Sequence, residues 1–319
     1  YRPYIYKTDN YGKSWKQITN GIGEESFTRA LRADPKRKGL LYAGTERGMY
    51  ISFDDGKNWD SFQQNLPIVP ITDLAIKNDN LIAATQGRSL WIIDDLTPLH
   101  QLNKTINTQD MVLYQPKDAY NMSGGNGKTS RTQGTNHAGG VAVNYFIKKE
   151  NKKDTISLSF YDVNDHFIKK YSSKPNKEKK EEKLKIEDGN NIFYWNMMYP
   201  GAEKVKGMIL WWASLNGPMA LPGTYHVILS VNGKTVQQNF AILRNPTSEA
   251  SISEMKMQFD FINDINLKMT EIHKALKNVK KVRSQVHLLK KSIKNKEKYK
   301  ALLAYADTLV KKITKIEET

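Results

Sequence analysis

The side chains with the most chemical potential are carboxylates, hydroxyls and indoles gathered in two octapeptides. These are Thr8-Asp9-Asn10-Tyr11-Gly12-Lys13-Ser14-Trp15 and Ser52-Phe53-Asp54-Asp55-Gly56-Lys57-Asn58-Trp59. A hydrolytic site on a sugar needs two carboxylates roughly 5 to 10 Å apart across the glycosidic bond. A structural turn needs something else. Thr8 or Ser52 and Asn10 or Asp54 would bond nearby backbone N–H groups, Gly12 or Gly56 would take a positive φ, and Trp15 or Trp59 would cover an apolar core. The set recurs at a spacing of 44 residues, from Thr8 to Ser52 and from Trp15 to Trp59. Self-similarity at that period marks a propeller blade, so all eight residues are assigned to structure and none to catalysis.

Four further positions are binding candidates. Glu46 and Arg47 precede the third strand of one repeat, and Gln86 and Arg88 occupy the matching loop of the next, where polar groups would line a shared groove. Trp212, beside Trp211, is a candidate platform for a sugar ring; strand alternation would turn one indole inward and leave the other outside. The six histidines show no ligand spacing and the chain has no cysteine, so no metal site and no cofactor are expected. Gly124-Gly125-Asn126-Gly127-Lys128-Thr129 lacks the first glycine of a phosphate loop, since Met122 stands in that place.

The elements that position these groups follow from periodicity. Phe27 to Pro35, Gly39 to Thr45 and Gly48 to Ser52 read as three strands before the second octapeptide. Ile71 to Ile76, Leu81 to Thr85 and Leu90 to Asp95 read as a degenerate third copy whose octapeptide is lost. A propeller closes with about four to eight blades. The repeats here therefore imply additional blades, in the same polypeptide or in a separate chain, pairing with strands near Tyr4 and Thr28.

The octapeptide matches the Asp-box, or bacterial neuraminidase repeat, S/T-x-D-x-G-x-T-W, with Asn10 where Asp is usual. The phrase from Leu41 to Gly56, LYAGTERGMYISFDDG, closely resembles the last blades of sortilin-like Asp-box propellers, many of which carry the name glycosyl hydrolase. Trp195-Asn196-Met197-Met198-Tyr199-Pro200 and Gly217 to Tyr225 resemble the module that follows the propeller in bacterial members. The resemblance implies a propeller with its boxes on the periphery of the blades. It also implies a secreted, periplasmic or cell-surface setting. Animal sortilin receptors carry a cysteine-rich module at this point, and the absence of cysteine means that receptor function does not transfer.

The remaining chain predicts two more modules. Val141 to Ile147, Thr155 to Tyr161, Asn191 to Asn196 and Tyr225 to Val231 alternate as strands, and Asn232-Gly233 predicts a tight hairpin. This is an antiparallel β-sandwich of immunoglobulin type, with Lys174 to Lys183 as an exposed hairpin tip. Ser251-x-x-Glu254 is a capping box. It opens a helix whose apolar stripe runs through Met255, Phe259, Ile262, Met269, Ile272, Leu276, Val279, Val286, Leu289 and Ile293. A break near Asn295 precedes a second helix, giving a helical hairpin. The fold class expected is mainly β with a helical tail: partial propeller blades over 1–105, a linker over 106–140, an Ig-like sandwich over 141–245 and the helical hairpin over 246–319.

Charge narrows the partners. The chain carries 49 basic and 33 acidic residues for a net +16. The stretch from His273 to Lys300 holds eleven Lys or Arg against Glu297 alone. Lysine dominates arginine, whereas base and phosphate forks favour arginine, so no specific nucleic acid is expected. No apolar run is long enough for a transmembrane segment. The function expected is non-catalytic: binding of a protein or glycan ligand, or assembly, as the C-terminal portion of an exported Asp-box propeller protein. The alternatives are a glycoside hydrolase whose carboxylates lie on further blades, and an anionic-surface binder using the basic helix.

Overall fold

The computed structural model describes residues 1–103, 105–122, 124, 137–149, 154–176 and 181–317. Most of the glycine-rich stretch, including Gly125 to Thr129, lies outside the described residues. The fold is mainly β with a helical C-terminal part. It divides into two compact units. One comprises Tyr1–Pro116, Asn144–Lys149 and Asp188–Asn191, and the other Lys117–Val143, Glu150–Glu187 and Ile192–Thr319.

In the first unit β1 (Tyr6–Lys7) and β2 (Lys16–Gln17) form an antiparallel pair. A four-stranded meander follows: β3 (Thr28–Ala33), β4 (Leu41–Thr45), β5 (Gly48–Ser52) and β6 (Asp60–Ser61). Then come β7 (Ile71–Lys77), β8 (Asn80–Thr85) and β9 (Leu90–Ile93), a three-stranded meander, and a short helix α1 (Thr97–Gln101). The two larger sheets share a bulge in the same place, between Thr28 and Ala30 in one and between Ile71 and Asp73 in the other. Strand β4 is buried along its whole length, because β7 of the next sheet packs on it. A Cβ added at Gly44 would lie 2.7 Å from Cγ2 of Ile71, so only glycine admits that approach. Leu40, Tyr42, Met49, Ile51, Phe62, Ile71, Leu74 and Leu81 form the shared core.

Beyond α1 the chain passes through β10 (Met111–Leu113), β11 (Ala119–Tyr120), β12 (Val141–Ile147) and β13 (Ile156–Asp162). It continues through β14 (Phe167–Ser172), β15 (Glu182–Lys183), β16 (Gly189–Trp195), β17 (Gly223–Val231) and β18 (Lys234–Leu243). A six-stranded sheet has the order β11-β18-β17-β13-β14-β15, and a smaller one the order β10-β12-β16. Trp195 is fully buried. Its ring stacks on Phe160 at 4.5 Å and meets Tyr225 and Phe240 at 6.0 Å, which makes β13 and β16 face each other across a sandwich core. Asn232 and Gly233 both have positive φ, 51° and 87°, as a two-residue type I′ turn requires.

Two expectations for this unit fail. β14 and β15 pair in parallel, with Tyr171 opposite Glu182, so Lys174 to Lys183 is not a hairpin tip; residues 177–180 of it lie outside the described residues. The segment around Met208 to Ala213 is not a strand, so no alternation buries either indole. Trp211 and Trp212 are 87% and 100% exposed.

The tail is a helical hairpin. Helix α2 (Ile252–Ser292) opens with the Ser251–Glu254 capping box in both directions, and α3 (Lys300–Glu317) returns along it. The antiparallel course is fixed by Lys290 with Asp307 and by Arg283 with Thr314. The inner stripe of α2 departs from expectation. Ile272 and Leu289 are exposed, as are Met257, Phe261 and Ile265, while Asn266 and His273 are buried. Polar groups take the inner face because residues 203–216 offer them partners. The Asn266 amide donates to the Asn216 carbonyl at 2.9 Å, His273 Nδ1 meets the Glu203 carbonyl, and Lys277 binds the Glu203 carboxylate at 2.6 Å. No described helix is long and apolar enough to cross a membrane.

Candidate functional site

The two boxes form the same turn and differ in the direction of one bond. In the second, the Ser52 hydroxyl donates to Asp54 Oδ1 at 2.9 Å and accepts from the Gly56 N–H at 3.0 Å. Asp54 then accepts from the Asn58 N–H at 2.9 Å and the Asn58 amide at 2.7 Å. In the first, Thr8 donates to Asn10 at 3.0 Å and accepts from Gly12 at 2.9 Å, and Asn10 accepts from the Ser14 N–H at 2.9 Å. The last bond runs the other way: the Asn10 amide donates to the Ser14 hydroxyl at 2.8 Å. Asn10 with Ser14 thus replaces Asp54 with Asn58 without breaking the ring of bonds.

The strands around the boxes repeat too. β1 and β2 pair as Tyr6 to Gln17 and Lys7 to Lys16, and β5 and β6 pair as Tyr50 to Ser61 and Ile51 to Asp60. A shift of 44 maps the first register onto the second residue by residue. The pair β1–β2 therefore repeats the pair β5–β6 of the four-stranded sheet.

The second box seals the join between the β1–β2 pair and the sheet β3–β6. The indole N–H of Trp59 donates to the Ile18 carbonyl at 2.8 Å, and its backbone N–H to Asn20 at 2.9 Å. Trp59 is 3% exposed in a cluster with Ile5, Ile18, Ile22, Leu41 and Ala43. Lys7 reaches back to Asp55 and Asp9, and these bonds push its ammonium up to about 12. Burial raises the Asp54 carboxyl. The bonds from the Asn58 side chain and backbone, with that from Ser52, outweigh this and hold it below the ordinary carboxylate value. Trp15 occupies the equivalent position in the first box and is 60% exposed.

Glu46 and Arg47 lie on the loop between β4 and β5, and Gln86 and Arg88 on the loop between β8 and β9. Glu46 Oε2 accepts from Arg29 Nε at 2.5 Å, and Arg47 Nη1 lies 2.8 Å from Glu25 Oε2. Arg29 sits at the bulge of β3 and also covers the Phe27 ring at 5.1 Å. Arg29, Glu25 and Phe27 were not legible as neighbours of Glu46 and Arg47, since a bulge cannot be read from alternation; the Arg-rich phrase Thr28-Arg29-Ala30-Leu31-Arg32 is the only trace. Gln86 and Arg88 are exposed. Gln86 donates its backbone N–H to Pro70 at 2.9 Å, and the Arg88 carbonyl accepts from the Trp91 indole. Trp212 belongs to the second unit, described above. Among the described residues no three His, Asp or Glu gather as metal ligands.

No family model matches the chain. Over 68 residues it is 37% identical to the vacuolar protein sorting/targeting protein 10 of Pyrenophora teres f. teres, a stretch covering 21% of this chain and 4% of that relative. Among solved structures it is similar to the extracellular domain of a one-component system of B. thetaiotaomicron. That match has TM-score 0.24 and 13% identity, and covers 76% of this chain and 29% of the other. A hybrid two-component system's extracellular domain from the same organism gives TM-score 0.22 at 12% identity, over 74% and 27% of the two chains.

Proposed function

We propose that this chain is a non-catalytic binding and assembly portion of an exported, sortilin-like Asp-box propeller protein, and that further blades complete the one which β1 and β2 begin. The observation that carries the reading is the repeated register of β1–β2 on β5–β6 with an exposed Trp15 in place of a covered Trp59. The short likeness to a sorting protein supports a ligand-binding role and a setting outside the cytoplasm. Protein and glycan ligands both suit the loops bearing Glu46, Arg47, Gln86 and Arg88. The proposed modules are 1–105, 106–140, 141–245 and 246–319. Asp54, Asp55 and Glu46 are each held by a neighbouring side chain, which supports a structural role for these three carboxylates.

The complementing strands would come from the same polypeptide or from a separate chain. Alone, this chain is expected to self-associate through the β1 edge and the Trp15 face. Co-expressed with a polypeptide bearing further blades, it is expected to form a stable complex in which the Tyr6 amide, which points away from β2, gains protection from hydrogen exchange. A monodisperse, soluble monomer whose Tyr6 amide exchanges equally fast with and without that polypeptide would refute the proposal.

A further inference from the structure

Between β16 and β17 the chain makes an excursion with a tight neck and an apolar tip. The neck closes where Ala202 N–H donates to the Leu215 carbonyl at 2.9 Å and Tyr199 N–H to Pro218 at 2.9 Å. Val205 and Leu215 are buried there. A Cβ on Gly201 would lie 2.0 Å from the Leu215 carbonyl oxygen, so glycine lets the two arms touch. Both arms are fastened to α2, through Asn216 with Asn266 and through Glu203 with Thr270, His273 and Lys277. Beyond this neck Ile209, Leu210, Trp211 and Trp212 all face solvent. Four adjacent large apolar side chains on an anchored support constitute an interaction surface.

The charges around it select the partner. Lys204 and Lys206 are exposed on the tip's own arm. From Lys204 to Ser248 the sequence contains no acidic residue. The helix face to which the neck is fastened continues directly into the basic stretch from His273 to Lys300, where Lys274, Lys280, Lys281, Lys291 and Lys294 are exposed. Indoles favour the headgroup level of a bilayer, aliphatic side chains the acyl boundary, and lysines the anionic headgroups. A sugar platform would use the indoles but gains nothing from Ile209 and Leu210.

We infer that the Ile209–Trp212 tip, backed by the lysines of its arm and of α2, docks on an anionic lipid surface. This rests on the second unit alone and stands or falls independently of the blade assembly. The test uses the full chain with vesicles of phosphatidylglycerol in phosphatidylcholine, and with phosphatidylcholine alone. Binding is expected to the anionic vesicles, weakening as salt is added, with a blue shift of tryptophan emission and quenching by brominated lipid. The double variant Trp211→Ser/Trp212→Ser is expected to lose roughly tenfold or more in vesicle affinity. Its melting temperature should be unchanged, since both side chains lie in solvent. The inference is overturned if the wild type ignores anionic vesicles or if the double variant binds them equally well. It is also overturned if the indole-dependent binding is to an insoluble polysaccharide or to RNA and not to lipid.

Discussion

Trp15 and Trp59 end identical turns, forty-four residues apart in one unit, and meet opposite fates. Each box satisfies its own hydroxyl, carboxylate or amide, and backbone donors within eight residues. Only the second has Ile18, Ile22 and Leu41 to receive its indole. The contrast separates two properties of the octapeptide, its turn and its indole. Turn geometry is local, and the stability gained from the indole belongs to the neighbouring strands that receive it.

The largest difference should appear on removing the indoles. Trp59→Ala opens a cavity and orphans the Ile18 carbonyl, and is expected to cost about 3 to 5 kcal/mol in urea unfolding. Trp15→Ala in the isolated chain is expected to stay within about 0.5 kcal/mol of wild type. An equal cost for both would mean that the first box is already covered. A polypeptide that completes the first blade should raise the Trp15→Ala penalty toward that of Trp59→Ala.

Next come the glycines. Gly56 has φ +81° and a Cβ there would lie 2.4 Å from Cδ1 of Ile18, whereas at Gly12, φ +85°, the nearest atom is Cζ2 of Trp15 at 3.8 Å. Gly12→Ala should show only the left-handed backbone cost of roughly 1 to 2 kcal/mol. Gly56→Ala should exceed it by the price of displacing Ile18. Matching losses in thermal unfolding would show that the join between the β1–β2 pair and the sheet β3–β6 is looser than described.

The smallest effect concerns acid. Asp54 is depressed in the folded state, so its contribution to stability is fully present above the ordinary carboxylate value of 3.8 and disappears as pH falls through the lower folded value. Asn10 has no such dependence. Transplanting the first box into the second, as Asp54→Asn/Asn58→Ser, should flatten the pH dependence of melting below about pH 4 while leaving it unchanged at neutral pH. An unaltered acid slope would assign the proton uptake to other carboxylates. Asp34, which the Arg37 and Lys36 N–H groups and His100 lower against the upward pull of burial, would be the first to examine.

A similar contrast separates the two chemically suggestive loops. Glu46 and Arg47 were legible as loop residues from the repeat, but their partners were not, because Arg29 reaches Glu46 from a bulge that interrupts alternation. At Trp211-Trp212 the alternation argument itself failed. Strand logic buries every second side chain, and this segment is held by its neck on α2 instead of in a sheet. The inner face of α2 shows the reverse error. A search for apolar period alone passes over Asn266 and His273, which are buried because carbonyls from residues 203–216 meet them.

By itself the order of amino acids determined the boxes, the repeated antiparallel strands, the Asn232-Gly233 hairpin and the capped helix. In each of these the bonding groups are separated by a few residues, or repeat with a fixed period. Tertiary structure alone decided which indole is covered, which way β15 runs beside β14, and that the side chains of Ile209–Trp212 are exposed. Those outcomes depend on surfaces brought together from distant parts of the chain, such as Ile18 for Trp59 and Asn266 for Asn216, and burial energy accrues only once both surfaces are in place.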